Sequence, residues 1–155
     1  MLRGYVASKL NLWSVALADT SRYLSGTAVK LPDFTGKAHL VLGRAAFGRG
    51  QLDEAETEFL MVDHRFLIPE ARASVGHCRA LRGDLRGALS AFSEAAALAN
   101  ADNAPGYLYQ AGLLAQQLGD DRMLSRILSE MMTRFPHNYL TSRLAGEEIT
   151  FAGDI

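Results

Sequence analysis

The sequence predicts an all-α chain built as a row of stacked antiparallel helix pairs, and two observations carry this reading. A stretch from Leu42 to Phe59 (LGRAAFGRGQLDEAETEF) aligns without gaps with one from Val75 to Phe92 (VGHCRALRGDLRGALSAF). Gly43/Gly76, Gly50/Gly83, Leu52/Leu85, Ala55/Ala88 and Phe59/Phe92 each recur 33 residues apart. Extended forward, the register continues: Gly112 follows Gly76 by 36 residues, and Gly146, Gly153 and Asp154 follow Gly112, Gly119 and Asp120 by 34. A unit of this length, apolar at helical spacing and punctuated by glycine, folds as helix, turn, helix.

The elements follow in order. Residues 1–34 form an N-terminal cap and connector: Val6, Leu10, Trp13, Leu17 and Leu24 mark one amphipathic helix or two short ones, and Ser25 to Asp33 carries Gly and Pro without a helical period. Asp33 is a candidate N-cap. The first repeat, 36–68, has a helix from about Thr35 to Arg49, a stop at Gly50, and a second helix from Leu52 to about Phe66. Asp53, Glu54, Glu56 and Glu58 crowd the start of that second helix, where the positive end of the helix dipole favours them. The second repeat, 69–104, places Pro69 in a first turn, ends its first helix at Arg82 and Gly83, and uses Asp84 to cap Leu85 to Leu98. After the insertion Asn100 to Asn103, the third repeat, 105–138, pairs Pro105–Leu118 with a helix from about Arg122 to Phe135, and Pro136 closes it. Asn138 is placed to cap a last helix, Tyr139 to Ile149, and residues 139–155 read as a partial fourth repeat or capping helix.

Composition narrows the function. With 155 residues, 48% of them hydrophobic, the chain can bury one continuous core. A net charge of −1, from 16 basic and 17 acidic residues, supplies no reason to expect nucleic acid or an anionic membrane. A single cysteine, Cys78, excludes an intramolecular disulfide and a cysteine-rich zinc site and suits a reducing compartment. The N-terminal apolar runs are broken by Ser8, Asn11 and Asp19, so no membrane insertion is expected, and the expected location is cytoplasmic.

These residues resemble the tetratricopeptide repeat family. Its Leu-Gly pair is matched by Leu42-Gly43, Val75-Gly76 and Ala111-Gly112; its turn glycine by Gly50, Gly83 and Gly119; its small residue by Ala55 and Ala88; its following aromatic by Phe59 and Phe92; and its closing proline by Pro136 and by Pro32. The third repeat departs, with Leu124 and Leu128 at the small and aromatic positions, and His39, Arg72 and Leu108 stand where the family has a large aromatic. The resemblance covers Pro32 to the end and implies a right-handed α-solenoid of three repeats between an N-terminal helix and a C-terminal capping helix. A glycine inside a helix is about 1 kcal/mol less favourable than alanine. Gly43 and Gly76 are therefore expected to face Ala55 and Ala88 in close packing, with Phe59 and Phe92 filling the gap to the next pair.

In that family the first helices line a concave surface, which here implies Lys37, Leu40, Arg44 and Phe47 from the first repeat. Glu70, Ala73, His77 and Ala80 come from the second, and Tyr109, Leu113 and Gln116 from the third. The implied partner is a protein or peptide whose apolar anchors enter this groove, with Phe47 and Tyr109 as hot spots and Arg44 orienting a carboxylate. A homodimer through the terminal helices is compatible with the same pattern.

Signals for chemistry are weak. His77 and Cys78 are chain neighbours and point about 100° apart on a helix, so they do not share a substrate or a metal. His39, His64 and His137 lie in different elements without ligand spacing. No catalytic, cofactor-binding or metal-binding residue is expected, and the acidic and basic faces of successive pairs read as solvated ion pairs. The expected function is a non-enzymatic bacterial scaffold or chaperone. The number of repeats, the extra N-terminal helix and the run from Met61 to Asp84 are loosely similar to the translocator chaperones of type III secretion. An interaction module of a longer repeat protein and an accessory domain of an enzyme remain as alternatives.

Overall fold

The computed structural model describes the backbone of residues 32–153 and the side chains of residues 35–146. Seven helices occupy this span, and no strand occurs among the described residues. They are α1 (Pro32–Gly48), α2 (Leu52–Leu60), α3 (Ile68–Leu81), α4 (Leu85–Leu98), α5 (Ala104–Leu118), α6 (Asp121–Arg134) and α7 (Tyr139–Gly153). The expected N-terminal helix and connector lie outside the described residues. Each helix packs on the next along the chain, and α5 also meets α7.

The turns form as the sequence dictates. Gly50, Gly83 and Gly119 adopt φ of 76°, 85° and 69°, a left-handed conformation that strains any residue with a Cβ. Asp84 and Asp120 cap α4 and α6 by accepting the Gly87 and Met123 backbone N–H groups at 2.9 and 3.0 Å. Asn138 does the same for α7, accepting the Leu140 N–H at 2.9 Å. Within the inserted segment, Asn100 folds the chain by accepting the N–H groups of Asp102 and Asn103.

Three boundaries differ from expectation. α1 begins at Pro32, whose fixed φ suits a first helical position, so Asp33 sits inside the first turn and is not the cap. α2 stops at Leu60, well short of Phe66. The apolar period through Phe59, Val62 and Phe66 runs on across this break, but the chain must turn within residues 61–67 to deliver Pro69 into the first turn of α3. His64 makes that turn by accepting from the N–H groups of Leu67 and Ile68, and Leu67, not Phe66, packs on the core. Phe66 is left 74% exposed. At the other end, α7 continues to Gly153, past the expected end at Ile149.

The core forms two clusters. Leu40, Phe59, Val62, Val75 and Cys78 fill the one between α1 and α4; Leu89, Phe92, Leu108, Leu114, Ile127, Met131 and Leu144 fill the one from α4 to α7. The mid-helix glycines explain the tight pairing, though with a different partner from the one expected. A Cβ on Gly43 would lie 2.5 Å from the Phe59 ring, and one on Gly76 would lie 2.8 Å from the Phe92 ring. The nearest neighbour of each glycine is thus the aromatic ring of its own pair and not the alanine of the following helix. In the third pair the shorter Leu128 stands at the aromatic position, and Leu144 from α7 covers Gly112 instead, 2.7 Å from where a Cβ would be. Burying a side chain of this size stabilises the fold by about 1.5–3 kcal/mol.

Candidate functional site

The charged residues hold the pairs in register. Arg79 reaches Glu56 at 2.7 Å, Arg82 pairs with Asp53 and Glu56, Arg72 meets Glu94 at 3.1 Å, and Arg86 meets Asp120 at 2.7 Å. Each bridges elements of different helix pairs or of the two helices within one, as alternating acidic and basic faces require. The His39 ring donates from Nδ1 to the Glu58 carboxylate at 2.8 Å, joining α1 to α2. Arg44 of α1 donates to Glu70 of α3. The arginine expected to orient a partner's carboxylate thus faces one from its own chain.

Three cavities that share lining residues run along α1, α3, α5 and the start of α7, the third closed by the turn before α3, the end of α4 and the connector to α5. The first, about 190 Å³, lies between α1 and α3 and is lined by Arg44, Phe47, Gly48, Phe59, Ser74 and His77. The second, about 420 Å³, continues from His77 past Tyr107 and Gln110 to Tyr139 and Leu140. The third, about 630 Å³, is entered past Tyr107 and Asn103 and is bounded by Phe66, Glu70 and Leu98. His77 links the first two, and Asn103 with Tyr107 links the second and third. The rims carry exposed apolar surface at Phe47, Phe66, Leu98 and Tyr139.

The expected lining residues fall into two groups. Arg44, Phe47 and His77 gather around the first cavity, and Lys37, Glu70, Ala80, Leu113 and Gln116 are half-buried. Leu40, Ala73 and Tyr109 belong to the core instead, at 0%, 5% and 7% exposure. They occupy one repeat position, spaced 33 and 36 residues apart, and that position faces inward each time. Tyr109 packs among Leu108, Leu114 and their neighbours, with the Arg143 guanidinium 5.6 Å from its ring centre. It is not an open hot spot. Ser74 and Gln110, three residues before His77 and Leu113, line the cavities and were missed, as were Asn103, Tyr107 and Tyr139. Their i, i+3 spacing to predicted lining residues is the signal that would have found Ser74 and Gln110.

Burial shifts three titratable groups at or beside these cavities. Burial, with a smaller contribution from Glu56, pushes the Cys78 thiol up to about 11, so the thiolate is scarce at neutral pH. Burial lowers the pKa of His77, whose ring stands edge-on to Phe92 at 5.0 Å between centres. Burial and then the Glu70 charge raise the Tyr107 phenol. Among the described residues no group of His, Cys, Asp and Glu is arranged to hold a metal, and no helix is long and apolar enough to cross a membrane. No protein-family model matches the chain, and no curated protein is significantly similar to it.

Proposed function

We propose that this chain is a non-enzymatic tetratricopeptide-type scaffold, a right-handed solenoid of three repeats that binds a peptide segment of a partner protein along its first helices. The observation that carries the reading is the confluence of three cavities that share lining residues from the gap between α1 and α3 past α5 to the start of α7, with Phe47, Phe66, Leu98 and Tyr139 exposed at their rims. Exposed aromatic rims over linked hollows suit a chain segment laid across several helices. The balanced charge disfavours nucleic acid as partner. Within this class we favour a cytoplasmic bacterial chaperone of the kind that holds secreted clients, on the strength of the sequence resemblance.

Selection of a displayed random-peptide library on the full chain tests the proposal. Enriched peptides are expected to lose about tenfold or more in affinity on Phe47→Ala and on Tyr139→Ala, with thermal midpoints unchanged. Failure to enrich any peptide, or peptides indifferent to both substitutions, would refute it.

A further inference from the structure

We propose that the edge of the molecule around the third cavity pairs two copies of this chain about a two-fold axis, each copy's Phe66 packing against the other's Leu98 and each copy's Arg65 meeting the other's Asp102. The inference goes beyond the peptide-binding reading and does not rest on it. Such pairing closes the third cavity and leaves the first two, with Phe47 and Tyr139, to a peptide.

The turn before α3 creates the patch. Because Leu67 takes the core position there, Phe66 is left outside, 74% exposed, more than any other large apolar side chain among the described residues. Single exposed apolar residues are ordinary on a protein surface, but Phe66 is not single. It lines one hollow of about 630 Å³ together with Leu98, the last residue of α4 and 52% exposed. Phe66 and Arg65 form one bank of this hollow, with the guanidinium 4.8 Å from the ring centre. Leu98, Asn100 and Asn103 form the other, and Asp102 is exposed between the two asparagines. Arg65 and Asp102 enter no ion pair among the described residues, unlike the arginines that tie the helix pairs together. A two-fold rotation exchanges the banks. It sets the apolar residue of each against that of the other and brings each unpaired cation to an unpaired anion, so the patch is its own complement. A foreign partner would have to supply both features separately. The apolar contacts provide affinity and the charges fix the register, since like charges juxtaposed at an interface are strongly unfavourable.

Sedimentation equilibrium of the full chain over a wide concentration range is the test. The wild type is expected to pass from the mass of one chain to that of two. Phe66→Ser is expected to weaken the dimer by about tenfold or more. Arg65→Asp and Asp102→Arg each place like charges at both contacts, and each alone is expected to be monomeric. An equal mixture of these two variants is expected to dimerise, because each new charge then meets its opposite. That recovery also shows that both are folded. A wild type that stays monomeric at every concentration, a dimer indifferent to Phe66→Ser, or a mixture that fails to recover would overturn the inference. A dimer unmoved by either charge change uses another face, such as the terminal helices, and overturns it too. Should the charge variants fail to fold, Phe66→Ser decides; should Phe66→Ser fail, the mixture does.

Discussion

Glycine 76 shows how one missing methyl group sets a helix spacing. Its absent Cβ leaves the room that the Phe92 ring takes, so Gly76→Ala forces ring and helix apart. The expected loss is about 1–3 kcal/mol from overpacking, larger than the helix-propensity gain of about 1 kcal/mol. Gly106 supplies the contrast, because nothing lies within 4 Å of its Cβ position. Gly106→Ala is expected to stabilise by about 0.5–1 kcal/mol; denaturant titration of both variants measures the difference, and equal signs would refute the contact. Asp120 adds a pH-dependent feature. The hydrogen bond from Arg86, followed by that from the Met123 N–H, holds its carboxyl below the usual carboxylate range. A depressed folded pKa adds stability above the unfolded carboxylate pKa, and that stability is lost as the pH falls through the folded value. An NMR titration is expected to find Asp120 below the ordinary range, and Arg86→Ala is expected to move it upward.

At the scale of helices, α1, α3 and α5 each turn one stripe inward, while the neighbouring position is half-buried at Arg44, exposed at His77 and half-buried against the core at Leu113. The inward stripe contains Leu40, Ala73 and Tyr109. Tyr109→Ala is therefore expected to lower stability by roughly 3 kcal/mol or more, as removal of a large buried aromatic does. Phe47→Ala is expected to leave the thermal midpoint nearly unchanged, and a reversed order of the two midpoints would show that the stripes are misassigned. Caps and turns at this scale were legible because they depend on residues a few positions apart: Asp84 on Gly87, Asp120 on Met123, Gly119 on its own φ. The end of α2 was not legible. Its apolar period runs through the break, and what stops the helix is the need to turn back toward α3.

Across the molecule, α3 and α4 link the two halves of the core. Ala73 and Phe92 belong to one cluster, and Val75, Cys78 and Ala91 of the same two helices belong to the other. A wedge here should reach both. Ala88, fully buried in α4, is the place to insert it. Ala88→Leu is expected to destabilise by about 1–3 kcal/mol and to lower hydrogen-exchange protection together in α1–α2 and α5–α6. Loss confined to α3–α4 would mean the two clusters unfold independently. Cross-pair ion pairs such as Arg86–Asp120 add register more than stability, since exposed pairs are worth about 0–1 kcal/mol each.

The sequence by itself determined the helices, the three glycine turns and the repeating aromatic, because each depends on a local conformational preference or on a fixed spacing that a 33-residue period displays. It also placed opposite charges on successive pairs, which the ion pairs then joined. Only the tertiary structure decided which side of α1, α3 and α5 faces the core, since helical period defines a stripe but not the neighbour that covers it. It likewise decided that Phe59 and Phe92 lie against the glycines, that Leu144 takes the same role over Gly112, and that Glu70 neutralises Arg44. Those outcomes depend on distances between residues far apart in the chain, and such distances exist only once the helices have packed.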